Sequence, residues 1–211
     1  MKASFHKFTA VLFTAYLFTL FACSGDDGGS SVVVTYGPTV GHGSEIYQTV
    51  VIGNQTWFAR NLNYEVSGSK CYDNEPSNCA IYGRLYDWQS AKAACPNGWR
   101  LPKYGEREAL ISYVGNSSNA GKKLKARNGW NNGGNGTDDY GFSALPGGSG
   151  TLDGSFHKVG NEGLWWTANE NSVSLISANE VYHYGMYYDS DRVDNTSISK
   201  SLLVSVRCVK D

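Results

Sequence analysis

The spacing of apolar residues changes along this chain, and the changes mark out its elements. Residues 10–21 (AVLFTAYLFTLF) are an unbroken apolar run of 12, short of the about 20 residues a membrane-spanning helix needs. Val32–Tyr36 reads as a short opening strand ended by Gly37-Pro38. In Gln48–Phe58 (QTVVIGNQTWF), two β-rich runs flank Gly53-Asn54, the signal of a hairpin. The period then lengthens. Apolar residues at 85, 88, 91 and 95 predict a helix that Pro96-Asn97-Gly98 stops. A second helix is predicted over 103–114, with Glu106 and Glu108 in its first turns, Leu110 and Val114 on one face, and Gly115 ending it. Residues 120–126 (AGKKLKA) predict a third, short one. From 128 to 163 Gly, Asn, Asp and Ser dominate, and the pattern predicts a loop. Strands return at 163–167, 181–188 and 202–209. In the last, Leu202, Val204, Val206 and Cys208 alternate with Leu203, Ser205 and Arg207, which puts Cys208 on the more apolar face.

A loop of that length inside a compact domain is either functional or held by ligands or ions. Composition narrows the function classes. With 14 Tyr, 8 Phe and 6 Trp, general disorder is excluded. With 18 Lys+Arg against 19 Asp+Glu, so is a strongly basic nucleic-acid binder. Glycine, 25 of 211 residues, is well above the usual share of about 7% and indicates many turns.

The first apolar run follows Lys2 and Lys7, which gives the layout of a signal peptide. Leu20-Phe21-Ala22-Cys23 resembles a bacterial lipobox, with a bulkier residue than usual at Phe21. The resemblance implies removal of residues 1–22, acylation of Cys23 and an outer-membrane lipoprotein anchored by lipid alone. Ser24-Gly25-Asp26-Asp27 begins a tether reaching to residue 43, and its acids resemble a surface-export signal. A domain is expected from 44 to 211.

Four cysteines remain, an even number that argues for two disulfides in an exported chain. Three connectivities are possible. Cys71–Cys79 with Cys95–Cys208 is favoured. The first closes a short loop of turn-forming residues, CYDNEPSNC. The second would tie an early helix to the last strand. No CxxC pair or nearby His offers zinc a tetrahedral set.

Several segments carry a family resemblance: residues 51–57 (VIGNQTW), Arg60-Asn61-Leu62-Asn63, Tyr82-Gly83-Arg84-Leu85-Tyr86, residues 95–102 (CPNGWRLP) with Glu106, residues 120–125 (AGKKLK), residues 141–148 (GFSALPGG) and residues 205–211 (SVRCVKD). In this order they resemble the Fibrobacter succinogenes major paralogous domain over residues 45–211. Two departures stand out. Lys103-Tyr104 replaces the family's usual Thr or Ser cap, and because lysine cannot accept a backbone hydrogen bond a frayed helix start is expected. Trp165-Trp166-Thr167-Ala168 stands where a Trp-Ser-Ser run is common. The resemblance implies an exported protein without an established activity. It also implies an α+β, C-type-lectin-like ground plan, two helices on small antiparallel sheets with a long irregular loop region. In that plan a Cys at the end of the first helix bonds one in the last strand, the places of Cys95 and Cys208.

No histidine context identifies a nucleophile with its base, and the thiols an oxidase would need are better placed in disulfides, so no enzyme is expected. Asp189, Asp191 and Asp194 (D-x-D-x-x-D) are the candidate calcium ligands, although the EF-hand pattern and lectin-type motifs are absent; no other cofactor is indicated. Aromatic rings stack on the C–H faces of sugars while amides and carboxylates bind hydroxyls. Trp130, Asn131 and Asp138 of the loop, with Tyr182, Tyr184 and Tyr187 of one strand, are the candidate set for this. Trp57, Trp88, Trp99, Trp165 and Trp166 are expected in the core. Lys122, Lys123 and Lys125 are expected on a solvated helix face, and Arg207 in a structural ion pair. These readings give a non-enzymatic cell-surface lipoprotein that binds polysaccharide. The alternative is a structural or adhesion component that binds a protein of the envelope.

Overall fold

Pairs of neighbouring large apolar residues explain the architecture best. Trp57-Phe58 and Trp165-Trp166 cannot lie in strands with one wet face, because successive side chains point to opposite sides. In the structure, a computed structural model, both strands are covered on both faces. Trp57 and Trp165 enter one apolar core, with Leu110, Leu124, Phe142 and Tyr184. Phe58 and Trp166 enter a second, with Leu62, Tyr86, Trp88, Val204 and Val206. Residues 32–170 and 178–211 are described, and residues 32–211 form one compact unit. The expected signal peptide, Cys23 and the first part of the expected tether lie outside the described residues.

The chain begins with β1 (Thr35–His42), β2 (Glu45–Ile52) and β3 (Gln55–Phe58). Next come α1 (Pro76–Tyr82), β4 (Leu85–Tyr86), α2 (Trp88–Ala94), β5 (Trp99–Arg100), α3 (Tyr104–Val114) and α4 (Ala120–Leu124). After the short β6 (Ser149–Gly150) and β7 (Phe156–His157) follow β8 (Glu162–Glu170), β9 (Glu180–Tyr187), β10 (Asp194–Ser199), β11 (Val204–Ser205) and β12 (Val209–Lys210). One sheet has the order β1-β2-β3-β12-β5 and the other β10-β9-β8-β11-β4. The last segment crosses from the middle of the second sheet to the first. It is an α+β fold with two disulfides, Cys71–Cys79 and Cys95–Cys208.

The hairpin falls on Gly53-Asn54, with Ile52 opposite Gln55 and Gly53 at φ +62°. Four expectations need correction. The opening strand does not stop at Gly37-Pro38. It bulges there and continues to His42, so the domain starts before residue 44. The predicted helix from 85 is a short strand followed by α2, because Asp87 caps Ser90 N–H and starts the helix only at Trp88. Residues 203–209 do not have an apolar and a polar face. All seven are buried, since the segment lies between the cores. The start of α3 is capped by other residues: Glu106 accepts from Lys103 N–H at 2.7 Å and Asn169 from Tyr104 N–H at 2.6 Å. Arg100 grips Glu106 with two nitrogens and holds its carboxyl below the usual range.

Candidate functional site

The long loop is held by its own chain. Trp130 is almost fully buried, and its indole N–H donates to Ala144 O at 3.0 Å. Gly136 N–H reaches Ala126 O, Thr137 N–H reaches Lys122 O, and Ala144 and Leu124 bond through their backbones. A Cβ on Gly136 would lie 2.2 Å from Lys125 O and one on Gly134 2.1 Å from Tyr188 O. Only glycine allows these approaches.

This packing builds a two-part groove at the end of β9. One depression, about 260 Å³, is lined by Lys122, Lys125, Asn132, Asn135, Tyr188, Asp189 and Asp191, among others. The other, about 280 Å³, is lined by Lys158, Asn161, Glu162, Tyr187, Tyr188 and Asp189. Tyr188 and Asp189 belong to both. The walls are tied by Asn131 N–H to Gly160 O, Asn131 Nδ2 to Asn161 Oδ1 at 3.0 Å, and Tyr188 N–H to Asn161 O.

Lys125 supports the turn that carries these groups. It is not on a solvated face: only 1% is exposed, and its Nζ donates to Tyr187 O at 3.0 Å and Ser190 O at 2.9 Å. The ammonium also sits 5.1 Å from the centre of the Trp130 ring. Burial pushes its pKa down, and the nearby Asp191 and Asp189 charges oppose the shift. Lys122 Nζ donates to Asn135 O, and Lys158 pairs with Glu162. Burial raises the Tyr187 hydroxyl, with Glu162 and Asp194 adding to the shift.

The candidate sugar-binding residues therefore separate. Tyr187 lines the groove, and Asn131 does not line it but bonds Asn161, which does. Trp130 lies in the core beneath Lys125, which leaves it no open face for a sugar. Asp138 accepts from Ser143 N–H at 2.7 Å and Ser143 Oγ at 2.6 Å and holds a turn. Tyr184 is 1% exposed and stacked on Trp165, because even positions of β9 face the first core. Tyr182 is at the other end of β9, beside Tyr104. Of the calcium candidates, Asp189 and Asp191 share a depression. Asp194 is on β10 and pairs with Arg192. No group of three possible metal ligands occurs among the described residues. Asn161 and Lys158 were not foreseen, since nothing in the sequence links residues 158–162 to the end of β9.

Two larger depressions are less suited to a ligand. One of about 480 Å³ has no aromatic lining, and its Arg100 is already paired with Glu106 and Asp211. In the other, about 360 Å³, His42 covers the Tyr64 ring at 3.7 Å.

The remaining buried polar residues are structural. His183, 2% exposed in the middle of β9, has no partner for Nδ1. Burial pushes its pKa down to about 4, and Arg107 acts in the same direction while a backbone bond with Thr196 opposes it. The unfolded chain takes up this proton near pH 6.5 and the folded one does not until about pH 4. Stability from this residue is therefore complete above 6.5 and lost as pH falls towards 4, by about 3 kcal/mol. Urea unfolding at several pH values should show this loss in the wild type and not in His183→Gln; equal slopes would contradict it.

Arg207 is fully buried and has no ion pair among the described residues, contrary to expectation. It donates to Asn61 Oδ1 at 2.7 Å, to Phe58 O at 3.1 Å, and to Phe142 O and Ser143 O. Burial lowers its pKa to about 10. The protein meets the charge with oxygen dipoles supplied by the 58–61 and 142–143 segments. Asn61 Oδ1 also accepts from Trp165 Nε1 at 2.8 Å, while its Nδ2 donates to Tyr82 O and Ser205 Oγ.

Asn61, Tyr82, Phe142, Ser143, Ser205 and Arg207 all lie in the segments that carry the family resemblance, so those motifs encode the scaffold. Most groove residues lie outside them. No curated protein and no solved structure matches the chain. The model of the Fibrobacter succinogenes major domain matches residues 50–210, and the chain belongs to that family.

Proposed function

We propose that this protein is a non-enzymatic, lipid-anchored module of the outer membrane, displayed at the cell surface, that binds polysaccharide in the groove at the end of β9. The disulfide-tied α+β domain is read as C-type-lectin-like, with the long loop forming part of the binding face. The observation that carries the reading is the union of two tyrosine rings, neither fully buried, with amide and carboxylate groups in one groove. Rings offer a stacking face to sugar C–H groups. Asn132, Asn135 and Asp189 can hydrogen-bond hydroxyls. The Cys23 anchor is a separate part of the proposal and rests on the lipobox alone.

The test is binding of the purified full-length chain to a panel of plant and bacterial polysaccharides, with and without EDTA. Specific binding that persists in EDTA and weakens about tenfold in Tyr188→Ala is expected, the loss of one stacking ring. Absence of binding across the panel would overturn the reading and favour a protein partner on the envelope.

A further inference from the structure

The exposed apolar residues of the domain are not scattered. Among the described residues eight large apolar side chains are exposed, and four of them, Val32, Val33, Tyr36 and Tyr113, belong to one place. Val33 is 83% exposed, Tyr36 62% and Tyr113 59%. Glycines let the parts of this face meet. A Cβ on Gly141 would lie 2.8 Å from Val34 Cγ1 and 3.9 Å from the Tyr36 ring, and one on Gly53 3.0 Å from the Tyr113 ring. The half-buried Tyr140, next to Gly141, meets the Tyr113 ring edge-on at 6.0 Å. The face thus runs from the residues before β1, across Tyr140, to the outer side of α3. Single exposed apolar residues are ordinary, whereas a contiguous group marks an interaction surface.

The direction from which the chain arrives indicates what covers it. Eight residues separate Cys23 from Val32, and even fully extended they reach at most about 30 Å. A domain of the length of residues 32–211 is about 40 Å across. An acylated Cys23 therefore cannot let this end of the domain turn to the side far from the bilayer. Tyrosine suits such a place, since its ring is apolar, its hydroxyl stays wet, and it is enriched where membrane meets water. The tether makes docking intramolecular, so a face too small to hold a free protein suffices. We propose that this face docks on the membrane, with Val33, Tyr36 and Tyr113 among the lipid headgroups of the bilayer that holds the Cys23 anchor. The partner is a lipid surface met by apolar contact, and the docked domain stands in one orientation.

This inference rests on the lipid-anchor reading, and the experiment separates their failures. The acylated chain, purified from a host that processes lipoproteins, is placed in vesicles of phosphatidylcholine brominated along its acyl chains, and mass spectrometry reads the lipid on Cys23. Tryptophan is introduced singly as Tyr36→Trp, Tyr113→Trp and, on the exposed side of α1, Ile81→Trp. After subtraction of wild-type fluorescence, bromine should quench the residues at 36 and 113 more strongly than the one at 81. Melting temperatures should match the wild type, because all three positions are exposed. Equal quenching at the three positions in a chain that carries lipid would overturn the inference and leave the anchor standing. The same result in a protein that sediments as a dimer would assign the face to a second copy. Absence of lipid on Cys23 would overturn both the anchor and the inference.

Discussion

Replacing Asn61 by alanine is expected to destabilise the domain by about 3–5 kcal/mol, a large part of the about 5–15 kcal/mol a domain of this kind possesses. The side chain is a junction. Its oxygen accepts from both Arg207 and Trp165, and its amide donates to Tyr82 O and Ser205 Oγ. Alanine would leave a buried guanidinium nitrogen and a buried indole N–H without that acceptor, in a place water does not reach. Arg207 has no ion pair among the described residues, the Asp138 charge acts on it only at a distance, and its Nε is already unpartnered. Asn61→Asp keeps the acceptor and adds an opposite charge, so it should cost less than alanine. Urea unfolding of the two variants checks the order. An alanine variant within about 1 kcal/mol of wild type would show that water or rearrangement satisfies Arg207.

Removing the Cys95–Cys208 bond is expected to have an effect of similar size. It links positions 113 residues apart, and loop-closure entropy puts its contribution at about 5 kcal/mol. Cys71–Cys79 spans 8, for about 2.5 kcal/mol. The larger bond joins the end of α2 to the segment that crosses between the sheets, so the entropy of the whole domain is restricted by it. Denaturant unfolding of Cys95→Ala/Cys208→Ala beside Cys71→Ala/Cys79→Ala should give the larger loss for the first. A reversed order would mean that native-state strain or residual denatured structure outweighs chain entropy.

The fold was legible where a residue's local chemistry decides its place. Gly53-Asn54 marked the hairpin, apolar spacing marked α3, and an even cysteine count marked the disulfides. Strands of two residues, such as β4 and β5, carry too little pattern to be seen. β10 (DNTSIS), to which the pattern assigns no element, is a strand because β9 offers it an edge. The site was less legible for a physical reason. An aromatic residue in a glycine-rich loop looks available, yet Trp130 is the residue that folds the loop by entering the core. Likewise Lys125 looks solvated in a basic run, yet its ammonium is drawn inward by two carbonyls. Of the sugar-binding candidates Tyr187 lines the groove and Asn131 only braces it through Asn161, and of the metal candidates Asp189 and Asp191 line it. The groove arises from segments 131–136, 158–162 and 187–191, whose meeting depends on tertiary packing.

Hydrogen exchange of the full-length chain, with and without the tightest-binding polysaccharide, tests the central claim most directly. The account predicts new amide protection concentrated in residues 131–136, 158–162 and 187–191, and little change at the 480 Å³ depression beside Arg100. Protection at Arg100 and Asp211 with none at the end of β9 would contradict it.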